Sequence, residues 1–288
     1  MAYLNTFIFT FVPFFLAYIV KSESILIFGI PLVYICLLIS YAIHWAVFIP
    51  SYIFKTEKFY DFTGMISFIC VTITAIYYKI SINGQLDLTS RILSLLVIVW
   101  TLRLGLFLFY RINKDGKDDR FDELKLSFSK FLMTWTLSSA WVSITSLAAL
   151  TVITSQNLYK DNAFIVIGVI VWLFGFIFEV VSDFQKTKFK SNPKNNGQFI
   201  KNGLWSVCRH PNYFGEIVLW IGISVIAFPN LENWQHVSLI SPLFVYLLLT
   251  KISGINLLEA KAEKKWGTSD EYKKYRSQTP QLIPKFWN

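Results

Sequence analysis

Residues 209–216 read Arg-His-Pro-Asn-Tyr-Phe-Gly-Glu, at the mouth of an apolar run that continues IVLWIGISVIAF. Pro211 suits the first turn of a helix, because its missing N–H is one that a helix start leaves unpaired anyway. The remaining free N–H groups and the positive end of the helix dipole, with Arg209 and His210 beside them, form an anion site in principle. Asn212 and Glu216 are four residues apart and share one face, with Tyr213 and Phe214 flanking them. A carboxylate inside a membrane-length run is costly, so Glu216 is either functional or a neutral or paired structural carboxyl. Arg209 has a plainer alternative, reaching for lipid phosphate.

Three other charged positions meet the same test. Glu179 and Asp183 are four apart at the end of another apolar run, so both project from one helical face. Arg103 precedes Arg111 by eight residues in WTLRLGLFLFYR, which puts it about 12 Å deeper in a helix. An arginine at that depth wants a carboxylate or a phosphate, and Glu216, Glu179 or a cofactor would serve; structural pairing between helices is the bland option. His44 reads as an interhelical hydrogen bond. His44, His210 and His236 are far apart, and with Cys36, Cys70 and Cys208 they make neither a metal nor a disulfide pattern. Cys36 and Cys70 read as small apolar packing, whereas Arg209 next to Cys208 would lower that thiol's pKa.

The elements that must hold these groups follow from composition. Of 288 residues, 54% are hydrophobic and 16% charged, where soluble domains carry about 25% charged residues; the mean hydropathy is +0.48. Apolar runs near 3–20, 25–50, 61–80, 91–111, 129–153, 163–182, 213–229 and 237–256 are each long enough to cross a bilayer as a helix. Only KSES separates the first two, so seven spans with one re-entrant or interfacial segment is the alternative to eight. The runs are apolar on all sides, which excludes the alternating pattern of a membrane barrel. The first run has no basic lead and no small-residue cleavage site, and is expected to be a span.

The net charge of +9 does not indicate nucleic acid, because its distribution is that of a membrane protein. Loops after spans two, four and six and the C-terminal tail hold 22 of the 27 Lys and Arg residues. The positive-inside rule puts those loops and the tail in the cytoplasm, and RHPNYFGE with them. The loop 113–124 mixes both signs, as a solvated connector would. The loop 183–205 is basic with turn formers in its middle, and reads as a flexible cover over something anionic or as a contact for anionic lipid. In the tail, Leu258, Ala262, Trp266, Tyr272 and Tyr275 recur at mostly helical spacing between lysines, predicting an interfacial amphipathic helix. Gly267 is expected to end it and Ser269 to cap a second short helix. No G-x-G-x-x-G after a strand, Walker loop or G-x-S-x-G is present, so any cofactor site has to be built from helix ends and loops. One membrane domain over 1–288 is the economical reading.

The stretches TLRLGLFLFYRINKDGKDDRFDEL, SDFQKTKFK, NGLWSVCRHPNYFGEIVLWIG and SPLFVYLLLTKISGINLLEAKAEKKWGTSDEYKKYRSQTPQLIP, in order over residues 100–285, resemble the membrane proteins related to steroid 5α-reductase, in the branch catalogued only as a domain of unknown function. RHPNYFGE and SGINLLE are the specific pieces. The resemblance implies an all-α polytopic bundle with a cofactor-binding half over 95–285. It also implies NADPH held from the cytoplasmic side, and hydride delivered to an enone or similar polarised double bond of a lipid, sterol-like or isoprenoid-like substrate. Carried over by match, Asn212, Glu216, Asp183 and Lys190 look like cofactor contacts. Arg103, Arg111, Asp119 and Arg120 resemble residues used around the cofactor, and Glu179, Arg209, His210, Tyr213 and Glu259 complete the expected set. The steroid reductases polarise the substrate ketone with a Glu and a Tyr from earlier helices. Here Trp100 stands where that Tyr would be and no early Glu stands out, which leaves the proton donor open among Tyr34, Tyr41, Tyr110 and Tyr213. Glu216 and Tyr213 are the candidate catalytic residues.

A second resemblance competes. Isoprenylcysteine and phospholipid methyltransferases also carry an R-H-P-x-Y-x-G stretch, and a tail in which an acidic residue precedes a Tyr-rich segment ending in Ile-Pro. S-adenosylmethionine would then take the same helix start. A non-enzymatic lipid-binding protein is the third reading. The expected setting is a multi-pass protein of the endoplasmic reticulum or a bacterial inner membrane, monomeric or weakly self-associating, with a hydrophobic small-molecule substrate, the bilayer as partner, no nucleic acid and no metal.

Overall fold

A computed structural model describes residues 1–286. The chain is 77% helical and 2% strand, as a run of non-alternating apolar segments requires: in hydrocarbon a helix satisfies its backbone groups within one segment. In order, it forms α1 (Ala2–Val20), β1 (Leu26–Ile27), β2 (Ile30–Pro31), α2 (Leu32–Ile53), α3 (Tyr60–Asn83), α4 (Leu88–Asp115), α5 (Phe128–Thr145), α6 (Leu147–Ile153), α7 (Ala163–Ser191), α8 (Leu204–Val207) and α9 (Pro211–Ala227). A 3-10 stretch (Asn233–Ile240), α10 (Ser241–Leu247), a π-helical turn (Leu248–Ile252), α11 (Ile255–Trp266) and α12 (Asp270–Gln278) follow. Among the described residues, seven helices are long and apolar enough to cross a membrane, or eight when α5 and α6, bent by 55° at their junction, count as one span. This is a multi-pass membrane protein.

Two expectations need correction. The second span does not begin at residue 25: Ile27 pairs with Ile30 in a tight antiparallel hairpin, with Phe28 at φ 50° and Gly29 at φ 78° in the turn. Pro31 then starts α2. Nor is 183–205 a loose cover. Nothing breaks the helix before Pro193, and Lys188 and Lys190 in the last turn complement the negative end of its dipole, so α7 runs to Ser191 and carries Asp183, Lys186 and Lys190 with it. Elsewhere the local signals act as read: Pro211 opens α9, Gly267 ends α11 with ordinary right-handed dihedrals, and the Ser269 side chain accepts from Tyr272 N–H to cap α12.

The chain separates into two compact units, Met1–Ile165 with Ile223–Ser241, and Val166–Gly222 with the chain from Pro242 onward. In the first unit α3 packs on α2 and α4, and α5 on α1 and α2. Small hydroxyl residues knit the interior. Ser40 Oγ lies 3.0 Å from Ser139 Oγ and accepts from Ser67 at 3.0 Å. His44 makes the expected interhelical contact, Nε2 to Ser138 Oγ at 3.0 Å, with Nδ1 2.8 Å from Ser40 O. At the other end of α3, Lys79 is fully buried: its ammonium sits 3.0 Å from Asp87 Oδ2 and donates to Val152 O at 3.1 Å. Asp87 also caps α4 by accepting from Ser90 N at 2.9 Å.

The mixed-charge loop after α4 is pinned rather than simply solvated. The buried Glu57 accepts from Asp118 N at 3.0 Å and from Lys125 Nζ at 2.9 Å, and Phe121 packs with Phe48, Phe131 and Trp135.

Candidate functional site

The second unit is organised by a seam between α7 and α9. Gly168 and Gly175 are seven residues apart on α7, and Gly215 and Gly222 are seven apart on α9. A Cβ on Gly215 would lie 2.6 Å from Glu179 N and 2.6 Å from Gly175 O. One on Gly175 would lie 2.5 Å from Leu219 N, and one on Gly222 2.6 Å from Trp172 N. The helices therefore run antiparallel with their backbones in contact, as small residues at two-turn spacing permit in a membrane. This seam puts Glu179 beside Gly215 and, one turn further along, Asp183 beside Asn212, whose side-chain amide donates to Asp183 Oδ1 at 3.3 Å. Glu179, Asp183 and Glu216 are all buried, so three carboxyl groups line the end of one helix pair.

The start of α9 is held by the C-terminal segment. Arg209 N–H donates to Pro280 O at 2.9 Å, and Lys285 N–H to Val207 O at 2.9 Å. Trp205 donates to Ser182 O at 3.1 Å, and Tyr275 OH to Trp205 O at 2.7 Å. The aromatic positions of the tail pack on a protein ring: Phe199 lies 5.1 Å from Tyr272, 5.3 Å from Tyr275 and 5.8 Å from Trp266 between ring centroids.

Glu259, on the first turns of α11, closes the arrangement. Its Oε1 is 2.8 Å from His210 Nε2 and its Oε2 is 3.1 Å from Arg209 Nη1, with Arg276 Nε at 3.9 Å. Burial lowers the pKa of His210 and outweighs the pull of the adjacent carboxylate in the other direction, so a neutral imidazole donates to Glu259. The Arg209–Glu259 contact is within ion-pair distance but is not aligned as a hydrogen bond. Among the described residues, the buried Arg209 Nε and Nη1 have no hydrogen-bond acceptor. Buried guanidinium donors left without acceptors are expensive, and they adjoin a helix start that favours anions.

The predicted residues thus divide. Asp183, Asn212, Arg209, His210 and Glu259 come together as two linked contacts around the α9 start, with Tyr213 stacked on His210 at 5.8 Å. Lys190 is on the exposed end of α7, two turns beyond Asp183. Arg103, Arg111, Asp119 and Arg120 belong to the first unit. There Arg120 grips Asp118, 2.6 Å from Nη2 to Oδ2, and Asp119 lies 3.4 Å from Lys117. The expectation for Cys208 is reversed: the thiol is buried, and desolvation pushes its pKa up to about 12 despite Arg209. Sequence reading passed over the glycine seam and the tail contacts through Pro280 and Tyr275. The seven-residue glycine spacing was the available signal for the first, while the second has no local signature.

A family described as "Protein of unknown function (DUF1295)" matches residues 47–279. A 64-residue stretch, 22% of the chain, is 33% identical to "Probable O-methyltransferase ustE" of Ustilaginoidea virens and spans 22% of that protein.

Proposed function

The chain belongs to the DUF1295 family, which includes steroid 5α-reductase-like proteins, and from that premise we propose that it is a membrane enzyme using NADPH to reduce a polarised carbon–carbon double bond in a hydrophobic lipid. The observation that carries this reading is the buried Arg209 guanidinium, whose Nε lacks a hydrogen-bond acceptor and whose Nη1 faces Glu259 without an aligned hydrogen bond, at the start of a 17-residue helix. A dinucleotide phosphate fits such donors, and the Lys and Arg distribution argues that they open on the cytoplasm. Bound there, NADPH would supply the hydride.

The chain's own residues do the rest. Arg209, held together with His210 by Glu259, binds the anionic part, and Asn212 with Asp183 orients the neighbouring polar group. Lys190 and the other lysines near the end of α7 draw the anion in. The apolar spans exclude water and admit the lipid laterally. Tyr213 and Glu216 are the proton-handling candidates, and Glu179, in the same unit, is a further candidate contact.

A second reading, S-adenosylmethionine-dependent methyl transfer at the same helix start, has one specific support, the name of the relative matched over 64 residues. The test is a pair of titrations of the detergent-purified protein with NADPH and with S-adenosylmethionine, repeated for Asn212→Leu and Glu216→Gln. Saturable NADPH binding, weakened about tenfold in Asn212→Leu by loss of roughly 1.4 kcal/mol, is expected. Saturable methyl-donor binding without NADPH binding moves the assignment to methyl transfer. Binding of neither, with Glu216→Gln only lowering thermal stability, leaves a non-enzymatic lipid-binding protein.

A further inference from the structure

Where α7 ends, the second unit has a cavity of about 330 Å³ whose lining differs in chemistry from the Arg209 cluster. Gln185, Asn192, Asn195 and Asn202 contribute four side-chain amides, Phe189 one ring and Lys188 one cation, with the backbone of Gly203 completing the wall. A phosphate site would gather cations and a lipid tail would gather apolar side chains. Neutral amides beside one ring suit a flat ligand that both donates and accepts hydrogen bonds.

The amides are half committed, in complementary ways. Gln185 spends its carbonyl on Leu204 N–H at 2.9 Å, and Asn192 spends its carbonyl on Lys194 N–H at 3.1 Å, so both keep an NH2 group to donate. Asn195 spends its NH2 on Phe189 O at 2.9 Å and keeps its carbonyl to accept. Adenine presents the matching edge, an exocyclic amine that donates and ring nitrogens that accept, and amide side chains are its standard partners. Phe189 offers the stacking face such bases take.

We propose that this cavity is an adenine site, taking the adenosine part of a nucleotide cofactor. The proposal rests on the reading of the chain as a nucleotide-dependent enzyme but not on which nucleotide, since NADPH and S-adenosylmethionine both carry adenosine. Lys188 then faces the ribose-phosphate side, and the amides select the base.

The test uses the full chain in detergent micelles, titrated with AMP, UMP and inorganic phosphate. AMP is expected to bind at least tenfold more tightly than UMP or phosphate. Asn195→Leu and Phe189→Ala are each expected to weaken AMP at least tenfold, Phe189→Ala without changing the thermal midpoint. Equal binding of AMP and UMP overturns the proposal, as does AMP binding unchanged in Phe189→Ala, which replaces a side chain at the end of the helix without touching the Asn195 turn. NADPH and S-adenosylmethionine are then titrated against the same variants, and whichever binds identifies the source of the adenosine. If AMP binds selectively and neither full cofactor does, the NADPH reading falls and the adenine site stands. If NADPH binds equally well to the wild type and both variants, the adenine site falls and the NADPH reading stands.

Discussion

Replacing Gly215 by alanine tests the seam directly. The added Cβ would meet Glu179 N and Gly175 O, each at 2.6 Å, and Glu179 Cα at 2.9 Å, against an ordinary contact distance of 3.4 Å or more. All three are backbone atoms of α7 and cannot swing aside, so the helices must part locally by about 0.8 Å. That opening carries the 3.3 Å Asn212–Asp183 hydrogen bond to about 4 Å, beyond bonding range. Overpacking of this kind costs about 1–3 kcal/mol. Because all three contacts are backbone, the upper part of that range, about 2–3 kcal/mol, applies; alanine's better helix propensity returns at most about 1 kcal/mol, so the net loss is about 1–2 kcal/mol, or roughly 2–8 °C in midpoint for a chain of this size. The assay is thermal unfolding in detergent, followed by a thiol-reactive dye that reports exposure of the buried Cys208 and Cys36. Ile221→Ala, at a side chain of α9 that is 41% exposed, is the control. A midpoint for Gly215→Ala no lower than that of Ile221→Ala would refute backbone contact as the organising feature.

Three further outcomes follow from buried polar contacts. His210 has its folded pKa below the ordinary 6.5 because of burial, so its contribution to stability is present above that value and is lost as pH falls. The thermal midpoint should therefore drop on acidification below about pH 6.5, and His210→Gln should flatten that limb. Glu259→Gln, which removes the charge facing His210 and Arg209, should cost about 1.5–3 kcal/mol at neutral pH. In the first unit, Lys79→Met leaves the buried Asp87 without its cation and should cost about 3–5 kcal/mol. The double variant with Asp87→Asn, which keeps the α4 cap, should recover part of that loss, and equal midpoints for single and double variants would contradict the pairing.

What the amino-acid sequence made legible was whatever depends on neighbours along the chain. Apolar runs show the spans, lysine distribution gives an orientation to test, Pro211 and Ser269 mark helix starts, and a lone histidine at 44 implies a hydrogen bond across a helix interface. Asn212 and Asp183 were legible as candidates because each belongs to an i,i+4 pair, but their contact with each other depends on two glycines whose role appears only once α7 and α9 are laid together. Glu259 was picked out by resemblance, while its partners Arg209 and His210, 50 and 49 residues earlier, could not be read from spacing. The hairpin at 26–31 was missed because its residues are as apolar as the span they precede. The length of α7 was missed because its last turns are polar, and a helix leaving the membrane changes composition without changing conformation.

The glycine seam also has a mechanical consequence. With no side chain between α7 and α9, neither helix can slide along the other by part of a turn without driving a neighbouring side chain into backbone, so the pair resists shear and moves as one stiff strut. Asp183, Asn212 and the carboxyl groups behind them then keep fixed spacing. The give has to come from the parts fastened to the strut only by hydrogen bonds and rings: the turn-rich 192–210 stretch and the tail strapped across it through Pro280 and Tyr275. Such an arrangement is a stiff pair of helices with a softer strap across its end.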